Sequence, residues 1–241
     1  MLIQPIHKVI KFYCQEKSLD LQKSKVLDVG CGSGDSVKQL LDTGIDAYGC
    51  DISFKTGENR DLLFYKNKIF YMYLDKNQVY RIPFTDNSFD IVYADQVIEH
   101  VEDIKGFISE VFRVLKPSGY FVGYFPSKNK FIEPHVGIPL GGILSTRLYI
   151  RFCVLLSLYY KKYKDSNNTV GNIKRYIDNK TFYRNKAEIS YLFANYFSQV
   201  TYREDLLLDS VNKKQAYLLK KIPLGKTIYG TLWSHLLIAE K

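Results

Sequence analysis

A short apolar run opens into three glycines at alternate positions: Val26-Leu27-Asp28-Val29-Gly30-Cys31-Gly32-Ser33-Gly34-Asp35. The run Lys25 to Val29 reads as a buried strand, and Asp35 to Leu41 continues as a helix that stops near Thr43-Gly44. Glycines between the two imply a main chain that turns tightly and lets another group approach its backbone. Strand, glycine-rich turn and helix in that order open an α/β unit, whose ligands sit outside the carboxyl ends of the strands.

The rest of the first half keeps this rhythm. Ala47 to Cys50, Ile69 to Leu74, Phe89 to Ala94 and Tyr120 to Phe125 read as strands. Ser53 reads as the N-cap of a short helix. Asp103 to Leu115 reads as a helix with Ile104, Phe107, Ile108, Val111, Phe112 and Leu115 on one buried face, ended by Lys116-Pro117-Ser118-Gly119. Asp90 reads as the anchor of the turn before the fourth strand, and Pro83-Phe84 as packing and turn chemistry. After Pro126 the alternation stops, to resume with a helix near 186–195 and strands at 198–204 and 235–240. The expected organisation is a single domain, 1–241, with an N-terminal amphipathic helix within 1–20, an acceptor-side or lid insertion at 127–184 and a second insertion at 207–231. Phe152 to Tyr160, "FCVLLSLYY", falls well short of the ~20 residues of a membrane-spanning helix. Its first reading is a buried helix and its second a membrane-surface helix.

Charge separates the same two parts. Residues 1–125 hold 15 Lys and Arg against 17 Asp and Glu, whereas residues 126–241 hold 19 against 8. The basic half suits an anionic acceptor, a lipid surface or nucleic acid, or is simply a solvated basic face. Cys14, Cys31, Cys50 and Cys153 show no CxxC spacing, so neither a disulfide framework nor a metal site is expected. Met1 to Ile10 lacks the long apolar core of a signal peptide, and the expected location is the cytoplasm, with peripheral membrane contact as an option.

Two adenosine cofactors suit a glycine-rich turn of this kind, a nicotinamide dinucleotide and S-adenosylmethionine. The dinucleotide fingerprint is G-x-G-x-x-G, but here the spacing is Gly30-x-Gly32-x-Gly34. Asp51, seventeen residues after Gly34, can accept both ribose hydroxyl protons of either cofactor. The later segments Arg81-Ile82-Pro83-Phe84, Phe89-Asp90-Ile91-Val92-Tyr93-Ala94-Asp95, Val97-Ile98-Glu99-His100-Val101 and Val114-Leu115-Lys116-Pro117-Ser118-Gly119 follow in order. With them, residues 24–126 resemble the class I S-adenosylmethionine-dependent methyltransferases, most of all the subgroup that includes the quinone-biosynthesis enzymes.

The resemblance implies a Rossmann-like, mostly parallel seven-stranded sheet with an antiparallel last strand, here "HLLIAE", and helices on both faces. It also implies cofactor roles. Asp28, Gly30, Cys31 and Gly32 belong to the loop against the methionine portion, and Gly34 to the helix entry. Asp51 corresponds to the ribose ligand and Ile52 to the apolar neighbour of the adenine. Gln78, with Val79, stands where the family often has an acidic adenine ligand, and Asp75 is a substitute. Asp95 and Gln96 line the methionine portion and the incoming acceptor.

Three residues are candidates for the chemistry. His135 lies in Glu133-Pro134-His135-Val136-Gly137-Ile138-Pro139, just after the fifth strand, where Glu133 can orient it as a base or where it simply fixes the loop. His100 is either catalytic or a brace at the helix entry, while His7 and His235 read as structural. The aromatic and basic stretch 143–164 favours a small amphipathic acceptor: a lipid, an isoprenoid or quinone precursor, or a glycolipid intermediate. The alternatives are an RNA or protein methyltransferase, for which Tyr93-Ala94-Asp95-Gln96 lacks the usual tetrapeptide, and a non-catalytic cofactor-binding scaffold.

Overall fold

Strand β1 (Lys25–Val29), buried from Val26 onward, lies inside a seven-stranded sheet of a computed structural model that describes residues 4–54, 58–75, 80–164, 168–210, 219 and 221–241. The other strands are β2 (Asp46–Asp51), β3 (Ile69–Tyr71), β4 (Tyr73–Leu74), β5 (Tyr80–Arg81), β6 (Phe89–Asp95), β7 (Leu115–Pro126), β8 (Gln199–Tyr202) and β9 (Ser234–Glu240). The sheet order is β3-β2-β1-β6-β7-β9-β8. Neighbours from β3 to β7 are parallel, and β9 runs antiparallel to both β7 and β8, as the resemblance implies for the last strand. The direction of strand order reverses between β1 and β6, and a crevice opens at such a switch point, outside the carboxyl ends of the strands.

The helices are α1 (Pro5–Glu16), α2 (Asp35–Asp42), α3 (Glu58–Tyr65), α4 (Ile104–Val114), α5 (Arg147–Leu155), α6 (Thr169–Lys180), α7 (Lys186–Ala194), α8 (Glu204–Ser210) and α9 (Gly225–Leu232). Alternate strand residues feed two separate cores. Phe121 and Leu237 pack with Phe107, Ile108 and Val111 of α4 and Phe193 of α7. Their neighbours Val122, Leu236 and Ile238 pack with Ile6, Val9 and Ile10 of α1 and Val37 and Leu40 of α2. A sheet covered on both faces requires such near-continuous apolar strands. Asp90 anchors the lower edge, accepting from the Lys25 amide at 2.8 Å and from Lys116 Nζ. The buried Glu110 pins the Arg81-Ile82-Pro83-Phe84 segment by accepting from Arg81, Arg113 and the Ile82 amide.

Four sequence expectations change. The expected strand 69–74 is divided: β3 stays in the sheet, the Met72 amide donates to the Asp51 carbonyl, and β4 pairs antiparallel with β5 in a separate hairpin. The helix expected after Ser53 begins at Glu58, and Ser53 is exposed. The fifth strand starts at Leu115 and absorbs Pro117-Ser118-Gly119 as a bulge, with Ser118 at φ +63°, a conformation that glycine adopts more readily. The stretch Phe152–Tyr160 is not a buried helix: α5 ends at Leu155, and Phe152, Leu155, Leu156, Leu158 and Tyr160 are exposed, while Cys153 points inward.

The described residues of segment 127–184 form a helical cap with its own small core of Val136, Ile138, Ile150, Cys153, Ile173 and Ile177. The segment expected as a second insertion, 207–231, carries the end of α8 and most of α9, and its residues 211–218 and 220 lie outside the described set. No helix among the described residues is long and apolar enough to cross a membrane. The four cysteines are buried and unbonded.

Candidate active site

The glycine loop leaves β1 along a path that only glycine follows without strain. Gly30, Gly32 and Gly34 have φ of +83°, +57° and +79°. At Gly30 the reason is also steric, because a Cβ there would lie 2.4 Å from Val97 Cγ2, in the turn after β6. At Gly34 it would meet Leu63 Cδ1 at 2.5 Å. At Gly32 a Cβ would meet no atom within 4 Å. The loop therefore packs on the protein at both ends and faces open space at its middle. Cys31 points the other way, into the core beneath Gly49, and contributes main chain only to the open side. Burial pushes its thiol far above the usual range.

Asp51, at the end of β2, joins this loop. Its Oδ2 accepts the Gly32 amide at 2.8 Å and its Oδ1 the Ser53 amide at 3.1 Å. Each oxygen keeps a further lone pair. Ile52 beside it is 53 % exposed. Gln78 and Val79 lie outside the described residues, and Asp75 accepts from Arg81 Nε at 3.1 Å. Asp28 is buried under the loop, where Tyr93 and Ser36 hydrogen-bond to it. Burial raises its carboxyl to about 8, with the charges of Asp95 and Asp51 adding to the rise. The Ser36 hydroxyl also meets Tyr93 Oη and His7 Nε2, each at 2.7 Å. Burial lowers His7 to about 4, so its ring is neutral at ordinary pH. His7 is structural, as expected, but its place is a polar chain that runs from α1 to Asp28.

At the end of β6, burial raises Asp95 to about 6. Gln96 holds φ +57°, and its amide donates to the Tyr124 carbonyl at 2.7 Å. A non-glycine residue in the left-handed region is sparsely populated and clusters at functional edges. The chain then makes a 3-10 turn, Ile98–His100.

The structure brings His100, His135 and Glu133 together. The imidazoles of His100 and His135 lie edge to face, with centroids 4.7 Å apart. His135 Nδ1 is 2.7 Å from Glu133 Oε1. Glu133, almost wholly buried, also accepts from the His135 and Val136 amides and from Tyr183 Oη. Burial alone would raise this carboxyl, but these donors hold it below the usual range. His100 Nδ1 lies 2.5 Å from the Lys180 carbonyl at the end of α6, and burial lowers the pKa of its ring.

A strap from the cap closes over the turn after β6. The Phe182 amide donates to the Glu99 carbonyl at 2.7 Å, and Arg184 donates to the carbonyls of Val101 and Glu102. Glu99 itself went unnoticed as a site residue in the sequence. It is 2 % exposed, neither carboxyl oxygen has a hydrogen-bond partner, and burial raises it to about 8. The Glu-His pair was visible; that the glutamate would be sealed without a donor was not. Tyr183, fifty positions from Glu133, carried no sequence signal at all.

Residues 27–123 match the family described as "Methyltransferase domain". Sterol 24-C-methyltransferase erg6 of Schizosaccharomyces pombe is 36 % identical over 107 residues, covering 42 % of this chain and 27 % of that protein. Demethylmenaquinone methyltransferase of Tropheryma whipplei is 32 % identical over 137 residues, covering 53 % and 48 %. The chain thus spans about a quarter to a half of the length of these curated relatives. A solved S-adenosylmethionine-dependent methyltransferase from Mesorhizobium loti superposes with a TM-score of 0.55 at 16 % identity over 96 % of this chain and 97 % of that one, which speaks to the fold. The matched segment thus carries a methyltransferase domain, with the glycine loop tied to Asp51 inside it, set on a sheet of order 3-2-1-4-5-7-6 that shares the fold of a solved S-adenosylmethionine-dependent methyltransferase.

Proposed function

We propose that the protein binds S-adenosylmethionine across the carboxyl ends of β1, β2 and β6 and passes its methyl group to a small amphipathic acceptor held beneath the helical cap. The observation that carries this reading is the pairing of Gly32 with Asp51, a braced carboxylate beside a loop whose middle is bare of side chains. The residues fit the cofactor. Asp51 retains lone pairs for ribose hydroxyls, Ile52 offers apolar surface to a purine, and a Cβ at Gly32 would fill the space the ligand needs. Asp51 and Asp95 bring carboxylates to this edge, which favours a sulfonium and an ammonium group and disfavours a pyrophosphate. When bound, S-adenosylmethionine supplies an electrophilic methyl group on a positively charged sulfur.

The chain's own residues then position and exclude. The 182–184 strap and Tyr176, whose ring lies 5.7 Å from that of His135, cover the acceptor side. Glu133 orients His135 through Nδ1, and His100 is held through Nδ1 by Lys180, which leaves the Nε2 lone pairs as the polar features offered to an acceptor hydroxyl. Leu148 and Leu155 on α5 are 80 % and 77 % exposed, and Arg147 and Arg151 flank them. Between α5 and α6 lies an open cavity of about 1090 Å³ whose rim carries Arg147, Arg151, Lys164, Lys174 and Arg175. Apolar and cationic side chains on one face suit an acceptor with an anionic head and an apolar tail, taken from a lipid surface. The sterol and menaquinone enzymes among the relatives support that acceptor class.

Calorimetry with S-adenosylmethionine and with NAD tests the cofactor: saturable binding of the first alone is expected, and binding of NAD alone ends the proposal. Transfer of tritiated methyl to a lipid extract and to total RNA tests the acceptor. Counts in the lipid fraction are expected, and counts confined to RNA overturn that part.

A further inference from the structure

We propose that Glu99, His100 and His135 form a binding site for one divalent first-row transition-metal cation. The inference deepens the reading above, because it rests on this edge being the acceptor side. One donor atom from each residue lies within 4.8 Å of the other two. Bonds of about 2.0–2.2 Å require donors about 3.3 Å apart, so binding draws the three donors together by up to about 1.5 Å.

Two independent features point to a cation. The first is Glu99, 2 % exposed, with both oxygens lacking any donor. Buried carboxylates are ordinarily satisfied, and an unsatisfied one calls for a missing partner. The other deeply buried glutamates conform: Glu133 has four hydrogen-bond donors, and Glu110 is held by Arg81 and Arg113. Lys130 adds a favourable charge near Glu99 without hydrogen-bonding to either oxygen.

The second feature is the way the imidazoles are held. His100 turns Nδ1 to a carbonyl and His135 turns Nδ1 to a carboxylate, at 2.5 and 2.7 Å. Both acceptors require Nδ1–H, so the lone pair of each ring is on Nε2. This is how metal-binding histidines are fixed, with the outer nitrogen on a carbonyl or carboxylate. Two nitrogens and one carboxylate select zinc, iron(II), manganese(II) or cobalt(II) over magnesium or calcium, which prefer all-oxygen shells. Three protein ligands leave positions open for oxygen atoms of a bound molecule. The acceptor class narrows accordingly to one that presents an oxygen ligand, such as a phenol, an enol or a carboxylate.

The test uses the full chain, free of any polyhistidine tag and stripped with a chelator. Zinc is titrated by calorimetry and cobalt(II) by visible absorption. One saturable equivalent is expected, with cobalt bands of a nitrogen-oxygen site. Glu99→Gln, nearly isosteric, should weaken affinity at least tenfold, and His135→Ala should abolish saturable binding, with thermal melting showing that both variants fold. Glu133→Gln, a positioning residue acting through His135, should weaken affinity roughly 10–100-fold. Absence of a saturable equivalent, or variants that bind as tightly as the parent, overturns the site. Calorimetry with S-adenosylmethionine on the same metal-free sample separates the two readings. Cofactor binding without metal binding sinks this inference alone, and metal binding without cofactor binding sinks the methyltransferase reading alone.

Discussion

Phe121, Val122, Leu237 and Ile238 are sealed between helices on the two faces of the sheet, whereas the cap's apolar core has six buried residues among those described and leaves Leu148, Phe152 and Leu155 in solvent. The sheet buries its apolar side chains on itself. The cap does so only in part, and its attachment to the sheet is largely polar: Phe182 to the Glu99 carbonyl, His100 to the Lys180 carbonyl, Arg184 to Val101 and Glu102. The lesson is a division of labour. In the proposed reading, the rigid edge with specified backbone geometry takes the cofactor, and the smaller layer with exposed apolar surface takes the acceptor. Low local burial is also what lets such an element open.

The largest expected effect is in the sheet. Phe121→Ala removes a fully buried ring that packs on Phe107 and Phe193, and it should lower unfolding free energy by about 3–5 kcal/mol in urea titration. A loss under about 1 kcal/mol would show that the sheet core is no tighter than the cap.

Next comes acid. His7 titrates near 4 in the folded chain against its ordinary 6.5, so below pH 6.5 the unfolded chain takes up a proton that the native state refuses. Stability from this group is complete above pH 6.5 and is lost as pH falls toward 4, by roughly 3 kcal/mol in total. His7→Gln should flatten the urea-midpoint profile in that window. Parallel profiles for parent and variant would remove His7 from the account and place the acid weakness elsewhere.

Asp51→Asn should lower S-adenosylmethionine affinity by about 10–100-fold, the worth of about 1.5–3 kcal/mol for hydrogen bonds to a charged group. Its melting temperature should stay close to the parent's, because the Gly32 amide still finds an acceptor. Unchanged affinity would dissolve the contrast between a cofactor edge and an acceptor layer.

The smallest effect on stability, within about 0.5 kcal/mol, is expected for Leu148→Ser with Leu155→Ser, since both side chains are exposed. The same pair should weaken binding to anionic vesicles in a flotation assay. A large loss of stability would mean that α5 is not the open surface described.

The cofactor half was legible because its requirements are local. Positive φ at Gly30, Gly32 and Gly34 demands glycine at fixed spacing, and Asp51 must end the next strand, so residue type alone reveals both. The thiol of Cys31 fills the space beneath Gly49, a contact between the loop and β2 that spacing does not disclose. His135 and Glu133 were visible as a pair two residues apart, and their contact is real. The cap was misread at Phe152–Tyr160 because apolar composition states a preference for burial, not whether a partner exists to provide it.

By itself, then, the chain's order of residues determined the α/β alternation, the reversed final strand, the glycine turn and the carboxylate that ends β2 beside it, all set by backbone sterics and by burial periods of a few residues. Only the tertiary structure decided that Glu99 is sealed without a donor, that His100 and His135 share a corner, and that His7 reaches Asp28 through Ser36 and Tyr93. Those groups come from segments tens of residues apart. Their meeting depends on how helices and loops pack over the sheet, a property of long-range contacts that no local pattern encodes.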